Sequence, residues 1–250
     1  MKFFFASLLF TLAPQNAQAY LPPAFFVYSK LVEPKAKTPP VTGLALTIAR
    51  PQASGTEEIL GSVVLPDWRA GISGGWPTLS LIFEGDQETL THAVSQFGLT
   101  VLKETELLRI DKDKAASMKD PPHPFYKTDP NMSLKRTRQT YAWVHSNADG
   151  RSVWVEKDSF LPLKVAGPCP PGAATLGWAK AGDNKCELEF RNLGALKRGN
   201  FSSTRLTLWK DGMPLLFFNF DKVASGKMQL PKADDRLPAE VKEIAEILLH

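Results

Sequence analysis

The side chains able to do chemistry are few and widely spaced. Gly71-Ile72-Ser73-Gly74-Gly75 has the Gly-x-Ser-x-Gly form of a nucleophile elbow. That motif needs a strand before it and a helix after it, so that the serine is held exposed on a sharp turn. Trp76-Pro77 follows at once and blocks a continuing helix. The segment therefore reads as a glycine-rich turn in a strand-to-strand connection, with Ser73 exposed and no histidine beside it. His92, His123, His145 and His250 fall in no His-x-x-x-His or mixed Cys/His spacing. No phosphate loop, dinucleotide fingerprint or paired-carboxylate motif is present. No cofactor or metal is expected. A hydrolase pairing Ser73 with one of the histidines is the enzymatic alternative.

Only Cys169 and Cys186 carry thiols. Their spacing is not Cys-x-x-Cys and no histidine lies between them, so a disulfide is the expected state in an oxidising compartment. Lys135, Arg136 and Arg138 form the one basic cluster. It reads as a solvated strand approach, with contact to an anionic headgroup as the alternative.

The chain opens with Met1-Lys2, an apolar run from Phe3 to Leu12, and Ala17-Gln18-Ala19 before Tyr20. A basic start, a short apolar core and small residues at −3 and −1 are the layout of a cleavable secretory signal. The run is too short to span a bilayer, which takes about 20 residues. A mature chain from Tyr20, exported to the periplasm, is expected. The formal charge of +4 falls to +3 without Lys2. That is too weak to suggest nucleic-acid binding and leaves only mild attraction to anionic lipid surfaces. About 230 residues can bury a full core as one β-rich domain.

These groups must be positioned by the following elements. Phe25, Tyr28, Leu31 and Val32 are at helical spacing after Pro22-Pro23. Strands are expected from Val41, over Ile59 to Leu65 and over Leu79 to Phe83. Asp86 is a helix N-cap, Leu90, Ala93, Val94 and Phe97 are the apolar stripe, and Gly98 ends the helix. A further strand is expected over Val101 to Ile110, completing a strand-helix-strand unit. Lys112 to Asn131 is polar and proline-broken and reads as a long loop. Hairpins follow, with strands at Thr140 to His145, Ser152 to Glu156, Leu161 to Val165, Cys186 to Phe190, Thr204 to Trp209 and Pro214 to Phe220. A last helix starts at Pro238.

Several of these strands are apolar on both faces. Leu215 and Phe217 alternate with Leu216, Phe218 and Phe220, and Trp154 alternates with Val153 and Val155. A solvated antiparallel sheet is apolar on one face only. Helices, a second sheet or a ligand must therefore cover the second face.

The run Ser152 to Val165, SVWVEKDSFLPLKV, resembles the hairpin of the bacterial outer-membrane lipoprotein carriers (the LolA/LolB-like superfamily). There a strand ends in an acidic or lysine-containing turn and the next begins Leu-Pro-Leu. Glu187 to Asn192, Arg205 to Gly212 and Phe217 to Val223 resemble the strands that follow, and the likeness spans about residues 20 to 230. It implies an α+β fold: a strongly curved antiparallel sheet, an incomplete barrel, with helices covering an apolar hollow that receives acyl chains. The strand-helix-strand unit, the proline-rich loop and the C-terminal helix depart from the basic carrier.

The expected organisation is a signal peptide over 1–19, a half-barrel domain over 20–236 and a C-terminal helix over 237–250. The expected function is non-enzymatic binding of acyl chains or a lipidated partner by a monomer, without nucleic acid and without a transmembrane segment. Trp143, Trp154, Trp209 and Phe218 are the candidate lining residues, chosen by alternation. The alternative is an envelope interaction module whose hollow is filled by its own helices.

Overall fold

The computed structural model describes residues 21–33, 41–68, 75–83, 86–107, 109, 129, 131–179, 182, 184–191, 205–224 and 236–250. The expected signal segment, Ser73 and most of the proline-rich loop lie outside them.

Among the described residues nine strands form one antiparallel sheet. They are β1 (Gly43–Pro51), β2 (Glu57–Leu65), β3 (Met132–Arg136), β4 (Tyr141–Ser146), β5 (Ser152–Glu156), β6 (Pro162–Pro168), β7 (Lys185–Arg191), β8 (Arg205–Lys210) and β9 (Met213–Ala224). The spatial order is β2-β1-β9-β8-β7-β6-β5-β4-β3. β3 to β9 run as a meander, and the β1–β2 hairpin joins it by pairing β1 with β9. The sheet is open and half-barrel-like, with β2 and β3 at its edges. Turn chemistry sets the hairpins: Asp211 and Gly212 both take positive φ, 50° and 76°, as a two-residue turn between twisted strands requires.

Helices α1 (Ala24–Val32), α2 (Thr78–Phe83), α3 (Gln87–Gln96) and α4 (Ala239–Leu249) accompany the sheet. They lie on one face, here called concave. Tyr28 of α1 meets His145 of β4, and Phe83 of α2 meets Phe220 of β9 with ring centroids 5.5 Å apart. Phe97, just after α3, lies so close over Gly167 of β6 that a Cβ there would sit 3.0 Å from its ring. Gly61 of β2 gives way in the same manner to Leu237, which leads into α4. Among the described residues no helix is long and apolar enough to cross a membrane.

The expected strand-helix-strand unit is corrected. Leu79 to Phe83 lies in helix α2, and Glu104 to Leu107 is a helical turn closed by Leu107 N–H donating to the Lys103 carbonyl. Every residue of α2 is buried, and an all-apolar run has no periodicity to separate helix from strand. The connection holding Ser73 therefore joins a strand, β2, to a helix, α2. It was not expected to reach a helix.

The middle helix is as read. Asp86 accepts from the backbone N–H of Glu88 and Thr89 and from the Thr89 hydroxyl. Those bonds from Thr89 hold its carboxyl below the usual range. Asp86→Ala should cost about 1 kcal/mol, read as a lower urea midpoint. An unchanged midpoint would show that the cap is dispensable.

Cys169 and Cys186 are bonded, with Cα atoms 4.7 Å apart. A disulfide persists in oxidising compartments, so the pair fits an extracytoplasmic protein.

Candidate functional site

Cross-strand register decides which side chains share a face. One row runs Met132, His145, Val153, Val165, Leu188, Leu208, Leu216 across seven strands. All seven are buried, and this row belongs to the concave face. The offset row runs Val144, Trp154, Lys164, Glu189, Thr207, Phe217, Ala49 on the convex face.

The four residues expected to line one hollow are therefore divided. Trp143 pairs with Val155, and Phe218 pairs with Leu206 and Ile48, on the concave side. Trp154 and Trp209 are on the convex side. Alternation within each strand is as read from the sequence, but the structure does not bring the four together. Phe218 is a fully buried core residue. Trp143 is half-buried and its indole N–H donates to the Lys157 carbonyl.

The convex face explains the strands with two apolar faces. Among the described residues its aromatic rings are roofed by cations. Lys164 Nζ is 4.2 Å and Lys135 Nζ 5.3 Å from the Trp154 ring centroid. Arg205 lies 4.8 Å over Phe217, and Arg191 5.8 Å over Trp209. The alkyl stems cover apolar surface while the charged ends stay in water. Those ends are paired, Lys164 with Glu187, Arg191 with Glu189 and Arg205 with Glu57. The Trp209 indole also donates to Glu189. Lys135 thus has a definite place as a ring cover.

A cleft of about 650 Å³ opens elsewhere, between edge strand β2, the residues after it and α4. Val63, Leu65, Trp68, Leu237 and Ala245 give it apolar walls, with Lys242, Glu246 and Asp67 also lining it. The last three are exposed. The Trp68 indole donates to the Leu249 carbonyl, tying the wall to the end of α4. None of the four expected lining residues borders this cleft. Its walls come from residues 62–68 and 237–250, which are far apart in the chain. The apolar positions Leu237, Val241, Ile244 and Leu248 of the last helical segment are the nearest sequence signal; Leu237 lines the cleft, and the other three side chains are core.

One polar cluster is buried beneath α1. The Tyr28 hydroxyl is 2.8 Å from His145 Nδ1. Asp129 accepts from the Ala24 backbone N–H at 3.1 Å and from that of Asn131 at 2.9 Å. α1 follows Pro23, which has no side-chain acceptor, so a carboxylate 105 residues away caps it. Burial holds the His145 pKa below 6.5, against the opposing pull of the Asp129 charge and the Thr100 carbonyl. Burial, with Asp129, raises the Tyr28 pKa well above 10. His145 Nε2 is buried with no partner in hydrogen-bond geometry among the described residues, and the Thr100 backbone near the ring favours its charged form.

Among the described residues no three His, Cys, Asp or Glu side chains converge as metal ligands. No protein-family model, curated protein or solved structure matches the chain.

Proposed function

We propose that this protein is a periplasmic, non-enzymatic binding protein, resembling the lipoprotein carriers, that accommodates acyl chains or a lipidated partner. The observation that carries the reading is the cleft between β2 and α4. Its volume lies within the range of small-molecule sites, which are apolar with a few polar groups. Val63, Leu65, Trp68, Leu237 and Ala245 offer an alkyl chain a dry wall. Exposed Lys242, Glu246 and Asp67 leave the polar end of an amphiphile in water. The open nine-stranded sheet with helices on one face is in keeping with the carrier likeness, as is the Ser152 to Val165 hairpin. The disulfide is in keeping with export.

The test uses delipidated protein and N-phenyl-1-naphthylamine, a probe that fluoresces in apolar sites, with palmitate as competitor. Wild-type protein should bind the probe and release it to palmitate. Val63→Trp, which fills the cleft, should weaken binding by at least about tenfold, equivalent to about 1.4 kcal/mol, with unchanged circular dichroism. Trp154→Ala on the convex face should bind as wild type. Absent binding, or equal binding by Val63→Trp, sinks the reading.

The second reading is an envelope interaction module with a self-filled core. It is favoured by α2, buried on every side against the sheet and α3. It expects no co-purified lipid in native mass spectrometry.

A further inference from the structure

We propose that Tyr28, His145 and Asp129 form an acid-labile latch, in which proton uptake by His145 releases α1 from the concave face of the sheet. The inference is independent of what occupies the cleft.

It starts from the concave row, in which His145 is the one polar member among six apolar residues on seven strands. A phenylalanine or leucine would fill such a place without needing a partner. The histidine is instead tied to α1 by the Tyr28 hydroxyl. Burial keeps that phenol protonated, and it has no other hydrogen-bond partner among the described residues. It therefore donates to Nδ1, and the neutral ring carries its own proton on Nε2. The neutral ring accepts the phenol's proton. A proton added at Nδ1 turns the ring into a donor there, so the phenol oxygen must accept instead and its own O–H is left without an acceptor among the described residues. The charged ring would then sit 3% exposed between Met132 and Val153, its neighbours on β3 and β5.

Two links hold α1 at this end, Tyr28 to His145 and the Ala24 N–H to Asp129, and both lie within one cluster. The charged group facing the ring is Asp129, just before β3. Tyr28 faces it from α1, and the Thr100 carbonyl from the segment after α3. Asp129 favours the protonated ring, but its oxygens are already accepting from Ala24 and Asn131. A charged ring would compete with the Ala24 N–H for that carboxylate. Both links weaken together. Release would expose Val27, Tyr28 and Leu31 and the strands beneath. It would do so beside Phe26 and Tyr141, already 40% and 49% exposed.

The sign follows from the depressed pKa. The released state takes the proton at the ordinary histidine value of 6.5, and the latched state only at lower pH. Release is thus unaffected above that value and grows as pH falls below it, by up to about tenfold per pH unit.

Hydrogen exchange of the full chain from pH 8 to 4.5, corrected for intrinsic rates, tests the latch. Protection over 24–32 should fall up to about tenfold per pH unit below 6.5 while β7, β8 and β9 stay protected. His145→Gln should show flat protection of 24–32. Protection of α1 that does not depend on pH in the wild type overturns the proposal. So does the same transition in His145→Gln, or loss of β7–β9 together with α1. If His145→Gln does not fold, NMR titration of His145 in the wild type decides: a pKa below 6.5 that coincides with α1 opening supports the latch. A pKa of 6.5 or more, or one unconnected with α1 opening, refutes it.

Discussion

Phe218→Ala should destabilise the protein by about 3–5 kcal/mol, the range for deleting a buried aromatic side chain. Phe218 is fully buried on β9, an interior strand of the sheet, with Leu206 of β8 and Ile48 of β1 directly opposite. Both partners are themselves fully buried, so neighbouring side chains cannot collapse into the gap without moving two strands. Chemical denaturation should show a much lower midpoint with an unchanged slope. Trp154→Ala is the control. Its ring is half-buried on the convex face, and its cover of Lys135 and Lys164 can relax into water, so it should lose clearly less. The comparison also discriminates between two environments for Phe218. A residue lining open space would leave a smaller new cavity on truncation, and a loss below about 1 kcal/mol would show that it borders such a space.

That residue shows where the sequence was legible and where it stopped. Alternation placed Leu216, Phe218 and Phe220 on one face of β9, and Tyr141 and Trp143 on one face of β4, as the register has them. Alternation has no sign, however. It does not say which face of each strand points inward. Trp143 and Trp154, in adjacent strands, consequently end on opposite sides of the sheet.

The hairpins were legible because turn residues carry their own backbone demands, as at Asp211-Gly212. The helix after Asp86 was legible because its cap and its stripe agree. Two elements were not. β3 is five residues, Met132–Arg136, with only Met132 and Leu134 apolar, too short a pattern beside a proline-rich segment. α2 is apolar all round, and burial on every side erases periodicity. Trp76-Pro77 blocks a helix that would continue from Ser73, yet Pro77 opens a new one, α2: its carbonyl accepts from the Leu81 N–H, a start that proline's fixed φ permits. The cleft was out of reach for another reason. Trp68 and Lys242 meet only once the sheet edge and the last helix are packed, and no local signal links positions so far apart. The covering of the convex face was equally hidden, since Lys164 and Arg205 looked like ordinary solvated charges until the rings beneath them were placed.

Reduction of the Cys169–Cys186 bond, or its removal by Cys169→Ala with Cys186→Ala, should cost about 3 kcal/mol. That is the chain-entropy expectation for a loop of this size, 17 residues in separation. In a chain of this length it corresponds to a fall in Tm of about 6–12 °C. The fold should survive, because the loop is held by more than the bond. Cys169 N–H donates to the Asn184 carbonyl, extending the β6–β7 pairing past Pro168. Proline and glycine around the cysteines suggested a segment with little structure, but residues 171–178 are folded into turns. Ala173 and Leu176 are buried, the Trp178 indole donates to the Leu215 carbonyl, and Arg50 lies 4.6 Å over the Trp178 ring. These contacts keep the reduced chain near its native path, so the loss should not exceed the entropic figure by much. Native protein should resist alkylation until a reductant is added. Free thiols in the untreated protein, or a Tm unmoved by reduction, would refute the prediction. Complete unfolding at room temperature on reduction would show that the packing around Trp178 depends on the bond and does not back it.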